Sequence, residues 1–476
     1  MTDMPWGDVP PIPAGIADVR SRIRELRAAS GRMIGVLDDD PTGSQSVHGV
    51  QIVTVPDPAE YSAALAGGTA FVLTNTRSMP EADAVALNTS VAADLFAIAG
   101  DRPIDRVSRS DSTLRGHVLA EIGALEQARR RARGHGHDAV LLAPAYLEAG
   151  RVTAGDVHWA RVGGRFVPVG ETEFARDATF GYADSNLRDF VVAASHGAIE
   201  PGRVRSIGLD DIRVGGAQRV AEILDGGSPG DIVVVNALDY ADLETAALAA
   251  LSVEAGGKSF LYRTGPSFVR ALDGQEPRGA LAESEIWPDR HPGGHGLIVV
   301  GSHVGQTTRQ VAVLRETRGA AEVELDVPAL LAMDEASLSG YVASTADRVA
   351  AALSSSDVLL LTSRALITTA GAEANLRIAR RVSGAVSSVV RAALDAGPAW
   401  VLAKGGITSH DVAVSGLGIR RAEVAGQLFP GMVSLYRPIS ADARAVGRPY
   451  VVFAGNVGDE RALADVATRM SGKEGV

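Results

Sequence analysis

The chain has 476 residues, of which 46% are hydrophobic and 22% charged, and this composition excludes a disordered or fibrous protein. Its net charge of −11 disfavours non-specific binding to nucleic acids and anionic membranes, which are themselves polyanions, so we expect neither as a partner. The chain contains no cysteine, which excludes disulfides, thiolate metal sites and a cysteine nucleophile.

The N-terminal segment MTDMPWGDVPPIP is acidic and rich in proline, and it lacks the basic start and apolar run of a signal peptide. The apolar runs of the chain, such as Leu297–Val300, are far too short to span a bilayer. The sequence therefore predicts a cytoplasmic protein.

Strand-like apolar runs alternate with alanine-rich helical stretches along the chain. The predicted strands are Met33–Leu37, Ala70–Thr74, Ala139–Ala143, Ile232–Asn236, Leu297–Gly301, Asp357–Thr362, Trp400–Ala403 and Tyr450–Phe453. The predicted helices are Pro58–Ala66, Glu81–Ala99, Val118–Arg133, Leu243–Glu254, Thr307–Arg318 and Arg377–Ala396. This alternation indicates α/β layers in which helices cover mainly parallel sheets.

The clearest break in the pattern lies between residues 265 and 296, where glycine, proline and charge are concentrated as in a linker. We therefore predict a first domain over residues 1–265, a linker over 266–295 and a second domain over 296–476. In such architectures, ligands bind at the carboxyl ends of strands and often between domains.

The first predicted strand runs directly into Asp38, Asp39 and Asp40, followed by a Pro-Thr-Gly turn. Adjacent carboxylates repel one another and are costly to bury, so they indicate function rather than stability. At the end of a strand they are suited to binding Mg²⁺, accepting substrate hydroxyls or acting as a base. The alternative is an acidic turn in which an aspartate caps a helix.

Two segments with arginine follow. Arg77 comes just after the second predicted strand, where it is suited to bidentate capture of a carboxylate, the alternative being a surface ion pair. The run 108–117 places two arginines, one aspartate and four hydroxyl residues just before a helix, where backbone amides favour an anion. Simple N-capping is the alternative there. Together the three clusters predict a site for a small, hydroxylated, anionic molecule.

Polar segments at 148–158 and 171–182 are rich in arginine and carboxylates. They are suited to forming walls of the same site, or they are ordinary solvated loops.

Three glycine-rich turns follow predicted strands in the second half, at Gly301–Gly305, Lys404–Asp411 and Ala454–Asp459. A single turn would mean little, because glycine marks any tight turn. Three such turns predict an edge that binds phosphate or a nucleotide through backbone N–H groups. Lys404 either neutralises phosphate or lies on the surface, and the turn Phe429–Met432 either lines an adenine pocket or closes an ordinary hairpin.

In this order, the motifs resemble those of the four-carbon acid sugar kinase family, whose members use ATP to phosphorylate acids such as threonate, erythronate and 3-oxo-tetronate. The resemblance extends roughly from Ile34 to Asp459. It implies a sugar-acid-binding N-terminal domain and a nucleotide-binding C-terminal domain. The expected fold class is thus two α/β domains with mainly parallel sheets and an inter-domain active site.

The resemblance also implies site residues. The family's D-D-x-T-G turn falls on Asp39, Asp40, Thr42 and Gly43, its K-x-D-S-T-L-R-G segment falls on residues 109–116, and Arg109 replaces the usual lysine. The implied substrate-binding residues are Asp39, Arg77, Arg109, Ser110, Asp111, Ser112 and Thr113. The implied nucleotide-binding residues are Ser302, Gly405, Gly406, Ile407, Thr408, Gly431, Gly455 and Asn456. The chain departs from the family pattern at Asp38, Pro41 and Lys404.

The corresponding mechanism is in-line transfer of the γ-phosphoryl group of ATP to a terminal hydroxyl of the acid. Asp39 or Asp40 would act as the base, and Arg115 would neutralise the transferring phosphate. ATP and Mg²⁺ are the implied cofactors, with Asp411 or Asp459 near the metal, although the sequence does not fix the metal ligands.

Two alternatives stay open. A metal-dependent lyase or dehydratase acting on a sugar acid would use the same carboxylates and arginines, but it would leave the glycine-rich turns of the second domain without a purpose. A non-catalytic sensor would bind the acid and a nucleotide without turnover. The sequence fixes neither the substrate's stereochemistry and length nor the oligomeric state, and a homo-oligomer is compatible with it.

Overall fold

The computed structural model describes residues 4–12, 15–40, 42–289, 293–301, 305–363, 372–429, 432–455 and 457–472. The chain divides into two compact units, Met1–Pro277 and Arg278–Val476.

The first unit is built around a parallel sheet. In chain order its strands are β1 Met33–Asp38, β2 Val50–Val53, β3 Thr69–Leu73, β4 Ile104–Arg109, β5 Ala139–Ala143, β6 Arg151–Ala154, β7 Val157–Val162, β8 Arg165–Pro168, β9 Val204–Ile207, β10 Asp231–Val235 and β11 Phe260–Thr264. The parallel sheet has the order β2-β3-β1-β4-β11-β5-β10-β9, and β6, β7 and β8 form a separate antiparallel sheet.

The helices of the first unit are α1 Ile16–Ser30, α2 Pro58–Leu65, α3 Glu81–Ala99, α4 Val118–Arg133, α5 Leu187–Ala194, α6 Leu209–Arg213, α7 Gly216–Asp225, α8 Tyr240–Ala255 and α9 Pro266–Asp273. Several begin at side-chain caps: Asp57 accepts from an N–H of α2 and Asp239 from an N–H of α8. Strands β1, β3, β4, β5, β10 and β11 are buried along their whole length. This is the pattern of a parallel sheet covered by helices on both faces.

One helix in the described part of the chain, α3, is long and apolar enough to cross a membrane by length and composition alone. It packs against α4 in the first unit and contributes Val91, Leu95 and Phe96 to the hydrophobic core. These contacts are those of a core helix in a globular domain.

The second unit also contains a largely parallel sheet. Its strands are β12 Leu297–Val300, β13 Ala321–Leu325, β14 Val358–Thr362, β15 Val401–Lys404, β16 Arg421–Phe429, β17 Val433–Ser440 and β18 Tyr450–Phe453. Its helices are α10 Glu283–Ile286, α11 Gly305–Arg318, α12 Val327–Ala332, α13 Glu335–Leu353, α14 Ala372–Ala393, α15 Gly406–Asp411 and α16 Ala462–Met470. The order is β13-β14-β12-β15-β18-β17-β16, parallel from β13 to β18 and antiparallel from β18 to β16.

The predicted α/β class with mainly parallel sheets is confirmed. Two strands, β5 and β18, and two helices, α3 and α4, have the predicted bounds. The sequence did not predict β6–β8 or the hairpin β16–β17, because half-exposed strands lack a continuous apolar run. The structure also differs at the predicted linker, where α9 is a largely buried helix packed on α1 and α8.

Candidate functional site

An acidic turn, Asp38–Asp40, leaves the carboxyl end of β1. Asp38 is fully buried and Asp39 is 2% exposed. Thr42 donates its backbone N–H and its hydroxyl to Asp40 Oδ1, at 2.8 and 2.7 Å. Gly43 approaches the Asp38 carboxylate so closely that a Cβ there would overlap Oδ2. The turn therefore requires glycine at this position.

Two arginines pair with the acidic turn. Arg77, which follows β3, donates Nη2 to Asp39 Oδ1 and to Asp40 Oδ2, at 2.9 Å each. Arg109, the last residue of β4, donates Nη1 to Asp38 Oδ1 at 2.8 Å. Strand β1 lies between β3 and β4 in the sheet. Arg77, after β3, and Arg109, at the end of β4, therefore reach the turn from opposite sides.

The loop between β4 and α4 adds a third arginine. Arg115 donates Nε to Asp111 at 2.7 Å, and Arg77 Nη1 lies 3.7 Å from the same carboxylate. Thr113 also donates its hydroxyl to Asp111. At Gly116 the φ angle is 111°, and a Cβ there would lie 3.1 Å from an oxygen of the acidic turn. Glycine thus allows the loop to approach the carboxylates closely.

The serines of this loop contribute mainly to its anchoring. The Ser110 N–H donates to the carbonyl of Thr264, the last residue of β11, at 2.8 Å. The carbonyl of Ser112 is 2.8 Å from Nε2 of His158, which is fully buried. Both serines lie in the predicted segment, and the described contacts hold the segment in place.

The environment separates the carboxyl groups into two kinds. Burial raises the pKa of Asp38 to about 7, against the opposing charge of Arg109, and burial also raises the pKa of Asp39. The pKa values of Asp40 and Asp111 lie below their ordinary range, since nearby arginines, Arg77 foremost, outweigh the effect of burial. The site therefore contains carboxyl groups that can take up a proton beside others that stay ionised.

A buried ion pair, which the sequence analysis missed, lies beneath the site. Arg263 in β11 donates Nη1 to Glu121 of α4 and to the Ser108 hydroxyl, and Thr76 donates its hydroxyl to the same glutamate at 2.6 Å. Arg263 Nη2 is buried without a hydrogen-bond partner in the described part of the chain, and it lies 3.9 Å from the position of a Cβ on Gly116. An arginine within the apolar run FLYRT was the available signal.

Arg151, the first residue of β6, lies in the segment 148–158 that the sequence analysis considered either a wall of the site or a solvated loop. Its guanidinium lies 5.6 Å from the ring centroid of Phe174, and that of Arg115 lies 5.3 Å from the same ring. Among the described residues no carboxylate lies within 4 Å of Arg151, and its Nε is buried and unpartnered. Arg151 is thus a half-buried cation whose charge is not matched by a direct partner.

In the second unit, the predicted turn after β15 leads into α15. The Gly405 N–H donates to the Phe453 carbonyl at 2.8 Å, and Gly405 has a φ of 118° that favours glycine. Ile407 is 64% exposed. A Cβ on Gly301 would overlap Thr408 Oγ1, so the turns after β12 and β15 lie side by side. Three predicted nucleotide-binding residues, Ser302, Gly431 and Asn456, lie outside the described residues.

The carbonyls of the third turn, Ala454–Asp459, are held by side chains from β15 and α11. Lys404 donates to two of them at 2.7 and 3.3 Å, and Gln310 to two at 3.0 and 2.7 Å. Thr307 and Gln306 each donate to one more at 3.0 Å. The backbone N–H groups of residues 457 and 458 have no partner among the described residues. Backbone N–H groups in a turn can bind an anion.

Lys404 is therefore neither a surface residue nor an open phosphate ligand. It is fully buried, and its Nζ lies 3.7 Å from the ring centroid of Phe453. Burial lowers the pKa of Lys404 to about 7. Its described contacts are with the carbonyls of the third turn and with this ring.

The two aspartates considered for Mg²⁺ each accept a hydrogen bond from the protein. Asp411 accepts a hydrogen bond from Ser383, and Asp459 accepts one from the backbone N–H of Arg461 at 3.0 Å. Within the described ranges there is no group of three or more histidine or carboxylate ligands able to hold a metal. Mg²⁺ that accompanies a nucleotide needs only one or two protein carboxylates, because the phosphates supply the rest.

Two family models cover most of the chain. One, described as a sugar-binding N-terminal domain, matches residues 34–272, and the other, described as a nucleotide-binding C-terminal domain, matches residues 297–463. The chain belongs to the family that combines these two domains, a sugar-binding N-terminal domain and a nucleotide-binding C-terminal domain. In this chain, the acidic turn and its arginines lie in the sugar-binding domain, and the three glycine-rich turns lie in the nucleotide-binding domain.

Solved structures support the fold of this family member. A Haemophilus influenzae protein from a family of unknown function is 19% identical with a TM-score of 0.61, covering 92% of this chain and 100% of its own. A Salmonella typhimurium protein provisionally named a tRNA synthase is 18% identical with a TM-score of 0.65, covering 91% of this chain and 98% of its own. No protein with a curated function matches the chain.

Proposed function

We propose that this protein is an ATP-dependent kinase that phosphorylates a terminal hydroxyl of a small sugar acid. One observation carries the proposal: three ionised arginines converge on four carboxyl groups at one end of the sheet of the sugar-binding domain. Such a site suits a molecule that combines an anionic group with hydroxyls. The nucleotide-binding domain on the same chain supports ATP as the second substrate.

Recognition of the acid would begin at Arg151 and Arg115. Both guanidiniums lie near the Phe174 ring, and only Arg115 has a carboxylate partner within hydrogen-bond distance. A substrate carboxylate would supply the missing negative charge at Arg151. The ionised carboxylates of Asp40 and Asp111 would accept hydrogen bonds from the substrate hydroxyls.

Proton transfer would fall to Asp39. Burial raises its pKa, which favours uptake of a proton, whereas the lowered pKa of Asp40 keeps that group ionised. As the substrate oxygen attacks the γ-phosphorus, the hydroxyl proton passes to Asp39 and the bond to ADP breaks. Arg77 and Arg115 would offset the charge on the transferring group.

The nucleotide would lie on the glycine-rich turns of the second domain, with MgATP as the substrate and the backbone N–H groups of residues 457 and 458 available to a phosphate. Four-carbon acids such as threonate, erythronate and 3-oxo-tetronate, or close relatives, are the expected acceptors, and the cytoplasm, which supplies ATP, is the expected location.

An ADP-release assay with MgATP and a panel of four- to six-carbon sugar acids tests the proposal. We expect acid-dependent ADP release, loss of at least about a hundredfold of kcat in Asp39→Asn, and unchanged turnover in the matched control Asp83→Asn on the exposed face of α3. Near-normal turnover in Asp39→Asn would disprove the role of that group. Binding of acid and nucleotide without ADP release would identify a sensor, and loss of water from the acid without ATP would identify a dehydratase.

A further inference from the structure

A second cluster of positive charge lies at the opposite end of the first unit's sheet from the candidate site. A cavity of about 180 Å³ opens where β1, β4 and β11 begin. Its lining contains six basic side chains and two acidic ones, Asp101 and Glu254. The basic residues are Arg32, Arg102, Arg106, Arg129, Arg133 and Lys258.

Most of this charge has no direct counterion. Arg32 pairs with Asp105 and Glu254, and Lys258 lies 3.3 Å from Asp225. The other four lining arginines, at positions 102, 106, 129 and 133, have no carboxylate within 4 Å in the described part of the chain. A chain with a net charge of −11 therefore gathers unpaired cations in one small cavity.

Arg106 is the most telling of these residues, because it is only 2% exposed. It donates Nη1 to the Ile104 carbonyl at 2.7 Å, and its Nη2 is 2.9 Å from His137 Nε2. His137 supplies no opposing charge, because burial lowers its pKa to about 4 and the ring is neutral. Its Nε2 accepts the hydrogen bond from Arg106, and its Nδ1 faces Glu126. The Nε of Arg106 is buried and has no partner in the described structure.

The neighbouring arginines add to the imbalance. Arg106 and Arg133 lie 4.3 and 5.6 Å from the centroid of the same Phe96 ring. Arg129 is 8% exposed, and its Nε donates to a neutral carbonyl, that of Gly136, at 3.1 Å. Burial and the nearby charge of Arg129 lower the pKa of Arg106 to about 9, against the opposing effect of Asp105 and Glu254, neither of which lies within 4 Å of it in the described structure.

Ordinary helix capping accounts for only part of the cluster. Arg133 lies in the last turn of α4, where the helix dipole favours cations, and Arg129 lies just before that turn. Arg106, in contrast, lies inside β4, and burying a cation without a counterion is costly. An anion in the cavity would remove that cost.

We propose that this cavity binds a phosphate group, either inorganic phosphate or the phosphate of a small monoester. The planar fork of arginine matches phosphate oxygens, and a dianion opposes several guanidiniums at once. The cavity, at about 180 Å³, has room for a phosphate with a few carbon atoms. None of its lining residues belongs to the proposed acid or nucleotide sites.

Thermal unfolding of the full chain in phosphate-free buffer tests the proposal. Titration with inorganic phosphate at constant ionic strength is expected to raise Tm with concentration, because a ligand that binds the folded state stabilises it. In the double variant Arg129→Gln/Arg133→Gln the apparent affinity for phosphate falls about tenfold or more, since two charge-assisted contacts are lost. The matched control, Arg131→Gln on the exposed face of the same helix, keeps the response of the original chain.

A second variant tests the proposal if the double variant does not fold. Arg102 is exposed and its side chain makes no described hydrogen bond or ion pair, so Arg102→Gln should fold and weaken phosphate binding about threefold. Glycerol 3-phosphate is titrated in parallel, and the tighter of the two ligands identifies the source of the phosphate group.

Equal phosphate responses in the pocket variants and in Arg131→Gln would overturn the proposal, since the phosphate would then bind elsewhere. An equal Tm rise with chloride would overturn it as well, because charge screening would explain the effect. The Tm readout is independent of turnover, so failure of the kinase proposal would leave this result intact.

Discussion

At the residue scale, neighbouring carboxyl groups of one turn differ because their partners differ. Asp38 is fully buried, with Oδ2 unpartnered in the described structure, and its pKa is raised to about 7. Asp40 shares Arg77 with Asp39 and accepts two hydrogen bonds from Thr42, and its pKa is lowered. Identical side chains thus receive opposite protonation tendencies from contacts a few ångströms apart.

The raised pKa of Asp38 predicts a pH-dependent change in stability. The folded state retains a proton up to about pH 7, whereas the unfolded chain releases it near pH 3.8, so wild-type stability falls as pH rises between these values. The amide that replaces this carboxyl group in Asp38→Asn cannot ionise. The variant should therefore gain in Tm relative to the wild type between pH 5 and pH 8, measured by thermal unfolding.

Asp40→Asn is the control for this measurement. The pKa of Asp40 is lowered, so its stabilisation is already complete above its unfolded pKa and is lost only in acid. Its Tm difference from the wild type should stay flat from pH 5 to pH 8. A parallel course of the two variants over this range would contradict the assignment.

The unmatched charge of Arg151 predicts a specific loss of acid binding. Removing a charge-assisted contact of about 1.5–3 kcal/mol should raise KM for the sugar acid by about ten- to a hundredfold with a smaller change in kcat. Steady-state kinetics of Arg151→Gln test this, with Arg165→Gln, at the exposed first position of β8, as the matched control. An unchanged KM would exclude Arg151 from acid recognition.

At the element scale, α11 and β15 determine the shape of the third glycine-rich turn. Gln310 is fully buried and donates to two of its carbonyls, and Lys404 donates to two, one of which, that of Val457, both side chains share. Helix α11 thus contacts the turn through the carbonyl oxygens of the turn. This makes Gln310 a positioning residue, whose loss should disturb the donors that the turn presents.

Gln310→Met should therefore weaken nucleotide binding. The variant keeps a similar volume but removes the described donor to the Asp459 carbonyl and one of the two donors to the Val457 carbonyl. We therefore expect the Kd for ATP to rise about tenfold while the affinity for the sugar acid is unchanged. Calorimetry with each ligand separates the two effects. Glu316→Gln, exposed on the same helix, is the control. Equal losses for both ligands would indicate general destabilisation instead.

At the scale of the whole molecule, the chain consists of two compact units, each with its own sheet order and its own set of ligand-type groups. The two family matches fall on either side of the division, one within each unit. The arginines and carboxylates of the candidate site belong to the first unit, and the glycine-rich turns belong to the second.

This division predicts that effects on binding add. Arg151→Gln should leave the Kd for ATP unchanged, and Gln310→Met the Kd for the acid, because the residues belong to different units and share no contacts. In the double variant, the two losses of binding free energy should sum to within about 0.5 kcal/mol. A clear departure from additivity, measured by calorimetry, would reveal energetic coupling between the sites.

Several features followed from local sequence alone. The alternation of apolar runs and helical stretches predicts the α/β class. The bounds of α3 and α4 could be predicted because both are long, uninterrupted, alanine-rich stretches. The acidic turn, Arg77 and the glycine-rich turns were identifiable because each is a contiguous motif after a strand. In all these cases the deciding residues are neighbours in the chain.

Other features depended on the tertiary fold. Arg263 pairs with Glu121 because β11 lies beside β4 in the sheet, although the two residues are far apart in sequence. Arg106 of β4 likewise lines one cavity with Arg129 and Arg133 of α4 only because the chain folds back on itself. The burial of Lys404 and the raised pKa of Asp38 likewise depend on what surrounds them. The sequence determined which chemical groups the chain carries and which strands and helices they follow. Strand order and burial decided which charged groups pair and which stay unpaired, because both are set by packing between segments that are distant in the chain.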